Sequence, residues 1–192
     1  MRVISLLLLI ATGFGALLST GLAYADAIVG QLAPAFSAPT LEGKNFDLSA
    51  LKGKVVVLHF WATWCGPCRE EMPALEAVFR KYRNQGLEVL AVSADRIRAR
   101  ADVDQVMHYF TFPAAMLSAV TKNDLGTVAA IPVTYVIGKD GVVDSIMTPD
   151  LRPLTESSLG DEVKTLLGAN AEPKINDRME TPPPVPASPA KP

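Results

Sequence analysis

The chain has 192 residues, 49% hydrophobic and 20% charged, with a net charge of -2. That is the composition of one globular domain with a proper core. It carries no dense basic patch, which excludes a nucleic-acid surface built on phosphate attraction.

Residues 1–25 carry one cation, Arg2, then an apolar run from Val3 to Leu18 and an ending Ala23-Tyr24-Ala25. This pattern is expected to be a secretory signal peptide cut before Asp26, with an uncleaved N-terminal membrane anchor as the competing reading. Either one implies export, to the periplasm or its membrane face. Residues 26–168 are expected to form the folded domain. Residues 169–192 are expected to be a disordered, partly polyproline tail, because 171–192 hold 7 of the 15 prolines and almost no large apolar side chains.

In chain order, Gln31 to Leu41 contains Pro34, Pro39 and the apolar anchors Leu32 and Phe36, suggesting an extended lead-in along the domain surface. Phe46-Asp47-Leu48 reads as a short strand or helical turn, and Leu51-Lys52-Gly53-Lys54 as a tight turn into Val55–Trp61. This last run is apolar apart from His59, as in a parallel strand buried on both faces. From Pro67 to about Asn84, Met72, Leu75, Val78, Phe79 and Tyr82 recur at helical spacing. Pro67 suits a first turn, whereas Pro73 removes one hydrogen bond and should kink the helix.

Leu87–Val92 is expected as a strand, Ile97–Tyr109 as a weaker helix, Phe112–Leu117 as a short strand and Asn123–Ala129 as a short helix. Thr134–Ile137 and Val142–Ile146 flank Gly138-Lys139-Asp140-Gly141, a hairpin signal, and Ser158–Leu167 closes the domain as a helix. The order implies an α/β sandwich with a mixed sheet between helices. Arg96, Arg98 and Arg100, interspersed with Asp95, Asp102 and Asp104, read as a solvated face.

Both cysteines of the chain, Cys65 and Cys68, lie in Trp64-Cys65-Gly66-Pro67-Cys68. A zinc site needs four ligands, and His59 and His108, the only histidines, do not supply the spacing. Haem attachment needs a histidine at position 69, which is Arg. A permanent staple between residues so close together gains little chain entropy. A redox pair gains more: a strand, a sharp turn and a helix place Cys65 at a helix N-terminus, where unpaired amides stabilise the attacking thiolate.

With those residues in view, the chain resembles the thioredoxin superfamily, and within it the exported TlpA/ResA-like thiol:disulfide oxidoreductases with an AhpC/TSA-like lead-in. The resemblance runs from about Gln31 to Leu167 and rests on Phe60-Trp61-Ala62-Thr63-Trp64-Cys65, Arg69-Glu70-Glu71-Met72-Pro73 and Ile131-Pro132-Val133-Thr134-Tyr135. It implies a thioredoxin-like three-layer sandwich with four or five strands, mostly parallel with an antiparallel edge hairpin. It implies a Cys65–Cys68 disulfide, Cys65 as nucleophile, Cys68 as resolving thiol and Glu71 as the acid that handles protons. Trp64, Ile131 and a cis Pro132 would contact the substrate.

The resemblance further implies a protein-disulfide reductase without cofactor or metal. It would be a monomer, with disulfide-bearing client proteins, in cytochrome c maturation or copper-site reduction, and a membrane thiol-electron donor as partners. His59 departs from the buried aspartate of thioredoxins, and the reading favours a core histidine held by a hydrogen bond over one that titrates with the pair. Ile131 and Val133 also differ from the residues usual around the cis proline. The alternative function is a thioredoxin-like copper-handling module, although such modules usually place three residues between their cysteines. A thiol peroxidase would need a threonine at position 62, which is Ala.

Overall fold

The computed structural model describes residues 27–126 and 128–168. The expected signal peptide or anchor and the proline-rich tail lie outside the described residues. Among the described residues no helix is long and apolar enough to cross a membrane.

The domain is built on a five-stranded sheet in the order β5-β4-β3-β7-β8. β3 (Val55–Trp61) is the central strand, and all seven of its residues are buried. It pairs in parallel with β4 (Leu87–Ser93), which pairs in parallel with β5 (Ala114–Met116). On its other side β3 pairs antiparallel with β7 (Val133–Ile137), which forms the edge hairpin with β8 (Val143–Met147). The hairpin turns through Gly138–Gly141, with Gly141 at φ 82°, a left-handed conformation that favours glycine.

Alternation along β3 sorts the core. Val55, Val57 and Trp61 pack with Met72, Leu75, Val78, Phe79 and Tyr82 of α1 (Gly66–Tyr82) and with Leu159, Val163 and Leu167 of α3 (Glu156–Leu167). Val56, Leu58 and Phe60 face the other way, toward Phe36, Ala38, Phe46 and Leu48. The period of two therefore places His59 on the helical side, with Cys68 and Glu71.

The lead-in corrects the expectation of a surface strap. β1 (Phe36–Pro39) is the middle of a second, antiparallel sheet between β2 (Asn45–Asp47) and β6 (Lys122–Asn123), and it buries Phe36 and Ala38 completely. Leu32, by contrast, is 71% exposed, and it is held through its backbone, in an antiparallel bridge to Val142. Central strands with apolar residues on both faces must be covered twice, and here the lead-in supplies part of the second cover.

Among the described residues of Asn123–Ala129 the expected helix does not form. Asn123 instead pairs with Phe36 in β6, and its side chain accepts from the Leu125 N–H at 3.2 Å while donating to the Gly126 carbonyl at 3.4 Å. Asparagine offers the backbone this local alternative to helical bonding, and burial of Leu125 fixes it. The weaker second helix is shorter than expected. One 3₁₀ turn (Ile97–Ala99) precedes α2 (Arg100–Met107), whose Val103 is its fully buried residue.

Candidate active site

The site forms where β3 ends. Beyond Trp61 the chain turns through Ala62-Thr63-Trp64, and Cys65 caps α1 with extended backbone geometry. Its Sγ accepts the Cys68 N–H at 3.3 Å. Pro67 falls in the first turn, where its missing N–H leaves no helical bond unmade. Pro73 lies inside the helix, as expected.

Cys65 and Cys68 are joined in a disulfide with an S–S distance of 2.06 Å. Cys68 is fully buried and Cys65 is 7% exposed, so an incoming sulfur reaches Cys65 first. On reduction, the Cys68 N–H and the positive end of α1 both favour a thiolate at Cys65. Trp64 projects beside the pair at 69% exposure. From the opposite side, the Ile131 carbonyl oxygen lies 3.9 Å from Cys65 Sγ, and the Ile131–Pro132 peptide bond is cis.

Beneath the pair is a small polar group inside the apolar layer. Glu71 follows Cys68 by three residues on α1, which brings the two side chains onto one face. Burial pushes its carboxyl up to about 7, against a smaller opposing effect of the Leu154 backbone N–H. His59 Nδ1 lies 4.0 Å from Glu71 Oε2 and 2.8 Å from Thr134 Oγ1, the residue opposite it in the β3–β7 register. His59 is completely buried, and desolvation lowers its pKa to about 4, so the ring is neutral at pH 7. The expected hydrogen bond of a core histidine is made, by Nδ1 with Thr134, while Nε2 has no hydrogen-bond partner among the described residues.

The structure adds a support that the sequence reading missed. Asp95, just past the end of β4, is 5% exposed rather than part of a solvated face. Its Oδ2 accepts from the Thr63 N–H at 2.8 Å and from Ser93 Oγ at 2.8 Å, while Oδ1 accepts from Thr63 Oγ1 at 2.7 Å. This carboxylate fixes the turn that delivers Trp64 and Cys65. The available signal was position, since Asp95 follows the carboxyl end of the parallel strand adjacent to β3, where α/β sheets place their sites. His108, the other histidine, caps the C-terminus of α2. Among the described residues no group of three or more His, Cys, Asp or Glu is arranged to hold a metal ion.

Residues 29–146 match the AhpC/TSA family. A thiol-disulfide oxidoreductase ResA of Bacillus cereus is 35% identical over 132 residues, spanning 68% of this chain and 76% of that protein. The thioredoxin-like protein YneN of Bacillus subtilis is 40% identical over 124 residues, spanning 61% and 69% of the two chains. Among solved structures, a thioredoxin-family thiol:disulfide interchange protein from Chlorobium tepidum TLS superposes with a TM-score of 0.60 at 27% identity. It covers 75% of this chain and all of its own.

Proposed function

Because the chain belongs to the AhpC/TSA family and is a thioredoxin-fold thiol-disulfide oxidoreductase of the ResA type, we propose that it works outside the cytoplasm as a reductant of protein disulfides. The observation that carries this reading is the arrangement of the pair, with a marginally exposed Cys65 at a helix N-terminus and a buried Cys68 bonded to it.

The reaction proceeds by two exchanges. In the reduced protein the Cys65 thiolate attacks a client disulfide, forming a mixed disulfide as the client's other sulfur leaves as thiolate. Cys68 then loses its proton and attacks Cys65 Sγ, which reforms the Cys65–Cys68 bond and releases the client as a dithiol. Two electrons pass from protein to client. Glu71, with its carboxyl near pH 7 and one helical turn from Cys68, is placed to take the Cys68 proton. Trp64, the Ile131 backbone and Pro132 form the surface against which the client segment lies.

Export is supported by the apolar leader over residues 1–25, read as a cleaved signal or a retained anchor. An oxidising compartment calls for dedicated reductants of particular cysteines, such as those of apocytochromes c or copper sites. A reductant there needs an electron source to regenerate it, and the resemblance to the ResA type supports a membrane thiol-electron donor in that role. The reduction potential of the pair tests the direction: a value near about -270 mV supports a reductant, and one near about -120 mV would replace it with a disulfide donor.

A further inference from the structure

Of the three acids interspersed with the arginines at the end of β4, two are engaged away from Arg96 and Arg98, and the third, Asp102, stays exposed beside them. Asp95 is buried and engaged by Thr63 and Ser93. Asp104 is bound by Arg100 Nε, at 2.8 and 2.9 Å from its two oxygens, and Arg100 also donates to the Leu41 carbonyl at 2.9 Å. Arg96 and Arg98 are exposed, and neither forms an ion pair among the described residues. Between them Ile97 stands 62% exposed, a large apolar side chain held out to water.

This tripeptide is tethered to the active site. The Asp95 carboxylate grips the Thr63 N–H and hydroxyl, and the Ala94 N–H donates to the Trp61 carbonyl at 2.8 Å. Arg96 adjoins Asp95 and Cys65 is two residues from Thr63, so Arg96 lies within about 20 Å of Cys65 even if every link is fully extended. Trp64, next to Cys65 and following the tethered Thr63, is 69% exposed. The segment tethered to the turn before the reactive cysteine thus carries one exposed apolar side chain, Ile97, and two cations without an ion pair among the described residues, with Asp102 the exposed carboxylate that follows Arg98 by four residues. The exposed carboxylate nearest in sequence to the pair on α1 is Glu70, beyond the helix's first turn.

We infer that Arg96, Ile97 and Arg98, together with Trp64, form a docking surface for client segments that carry acidic residues beside their cysteines. The inference rests on the disulfide-exchange reading above. Cations on the rim of a contact act through long-range attraction, raising the rate of productive encounter and making it depend on salt. Ile97 adds apolar contact to the same segment.

The test uses two synthetic peptides, each with one Cys-x-x-Cys disulfide, flanked by glutamates in one and by lysines in the other. Exchange is followed in both directions, from reduced protein to peptide disulfide and from oxidised protein to peptide dithiol. At low ionic strength the glutamate peptide is expected to exchange roughly five- to tenfold faster, the difference shrinking toward unity at about 0.5 M salt. The double variant Arg96→Glu/Arg98→Glu is expected to reverse the preference, a gain for the lysine peptide that misfolding cannot produce. Equal rates at low salt, or a preference that the double variant retains, would overturn the inference. If exchange runs only from oxidised protein to dithiol, the reductant reading fails, while the charge preference is still decided in that direction.

Discussion

Cys65 Sγ lies 3.9 Å from the carbonyl oxygen of Ile131, 66 residues later in the chain. The contact follows from topology: β7 runs antiparallel to β3, with Phe60 opposite Val133, so the start of β7 meets the end of β3. Cys65, just past that end, is thereby set against the Ile131 backbone, which precedes the β3–β7 ladder. The two sulfurs occupy different surroundings, Cys65 at 7% exposure and Cys68 fully buried.

The proposed order of attack rests on that asymmetry. Cys65→Ser is expected to abolish disulfide exchange. Cys68→Ser is expected to accumulate mixed disulfides through Cys65, visible as thiol-sensitive adducts on a non-reducing gel. An adduct-free Cys68→Ser protein would show that the attacking sulfur is misassigned.

The Glu71–His59 pair predicts opposing pH dependences of stability. Glu71 titrates at about 7 in the fold against 4.5 in its absence, so the native state binds more protons between those values. Its contribution is complete below about 4.5 and is lost as pH rises through 7. His59 titrates at about 4 against 6.5, so its contribution is complete above 6.5 and is lost as pH falls through 4. Relative to the parent, Glu71→Gln is therefore expected to gain melting temperature as pH rises from about 4.5 to 7, and His59→Asn to gain as pH falls from about 6.5 to 4. Thermal denaturation of the oxidised protein across this range checks both, and curves parallel to the parent at every pH would refute the assignment.

Asp95 is a positioning residue whose loss should affect both stability and rate. Asp95→Ala leaves the Thr63 N–H and two hydroxyls without their acceptor, a cost of about 2–4 kcal/mol. Slower exchange should accompany it, because the turn carrying Trp64 and Cys65 loses its restraint. Asp95→Asn, which keeps one acceptor oxygen, is expected to recover part of both. Denaturation midpoints and exchange rates measured together separate this from a purely structural role, in which the folded variant would exchange at the parental rate.

Glu76 provides the contrast. It is 1% exposed and accepts from Thr111 N–H at 2.9 Å and Thr111 Oγ1 at 2.8 Å, tying α1 to the loop before β5. Glu76→Ala is expected to cost about 2–4 kcal/mol in urea denaturation, with the reduction potential retained because the bond lies away from the pair.

By itself the sequence determined the elements whose signals are local. The unbroken apolar run Val55–Trp61, the helical spacing from Met72 to Tyr82 and the turn residues Gly138–Gly141 each state their own structure, and the cysteine spacing with a helix start behind it states the chemistry. Only the tertiary structure decided how distant residues meet. It made β1 a buried strand, because the second face of the main sheet needed cover. It drew Asn123 into β6 instead of a helix, because Phe36 lay opposite. It turned Asp95 inward onto Thr63 and left Arg96 and Arg98 without an ion pair among the described residues, and it set Glu71 4.0 Å from a neutral His59. Burial and cross-chain hydrogen bonding settle such outcomes, and neither is written in the spacing of nearby residues.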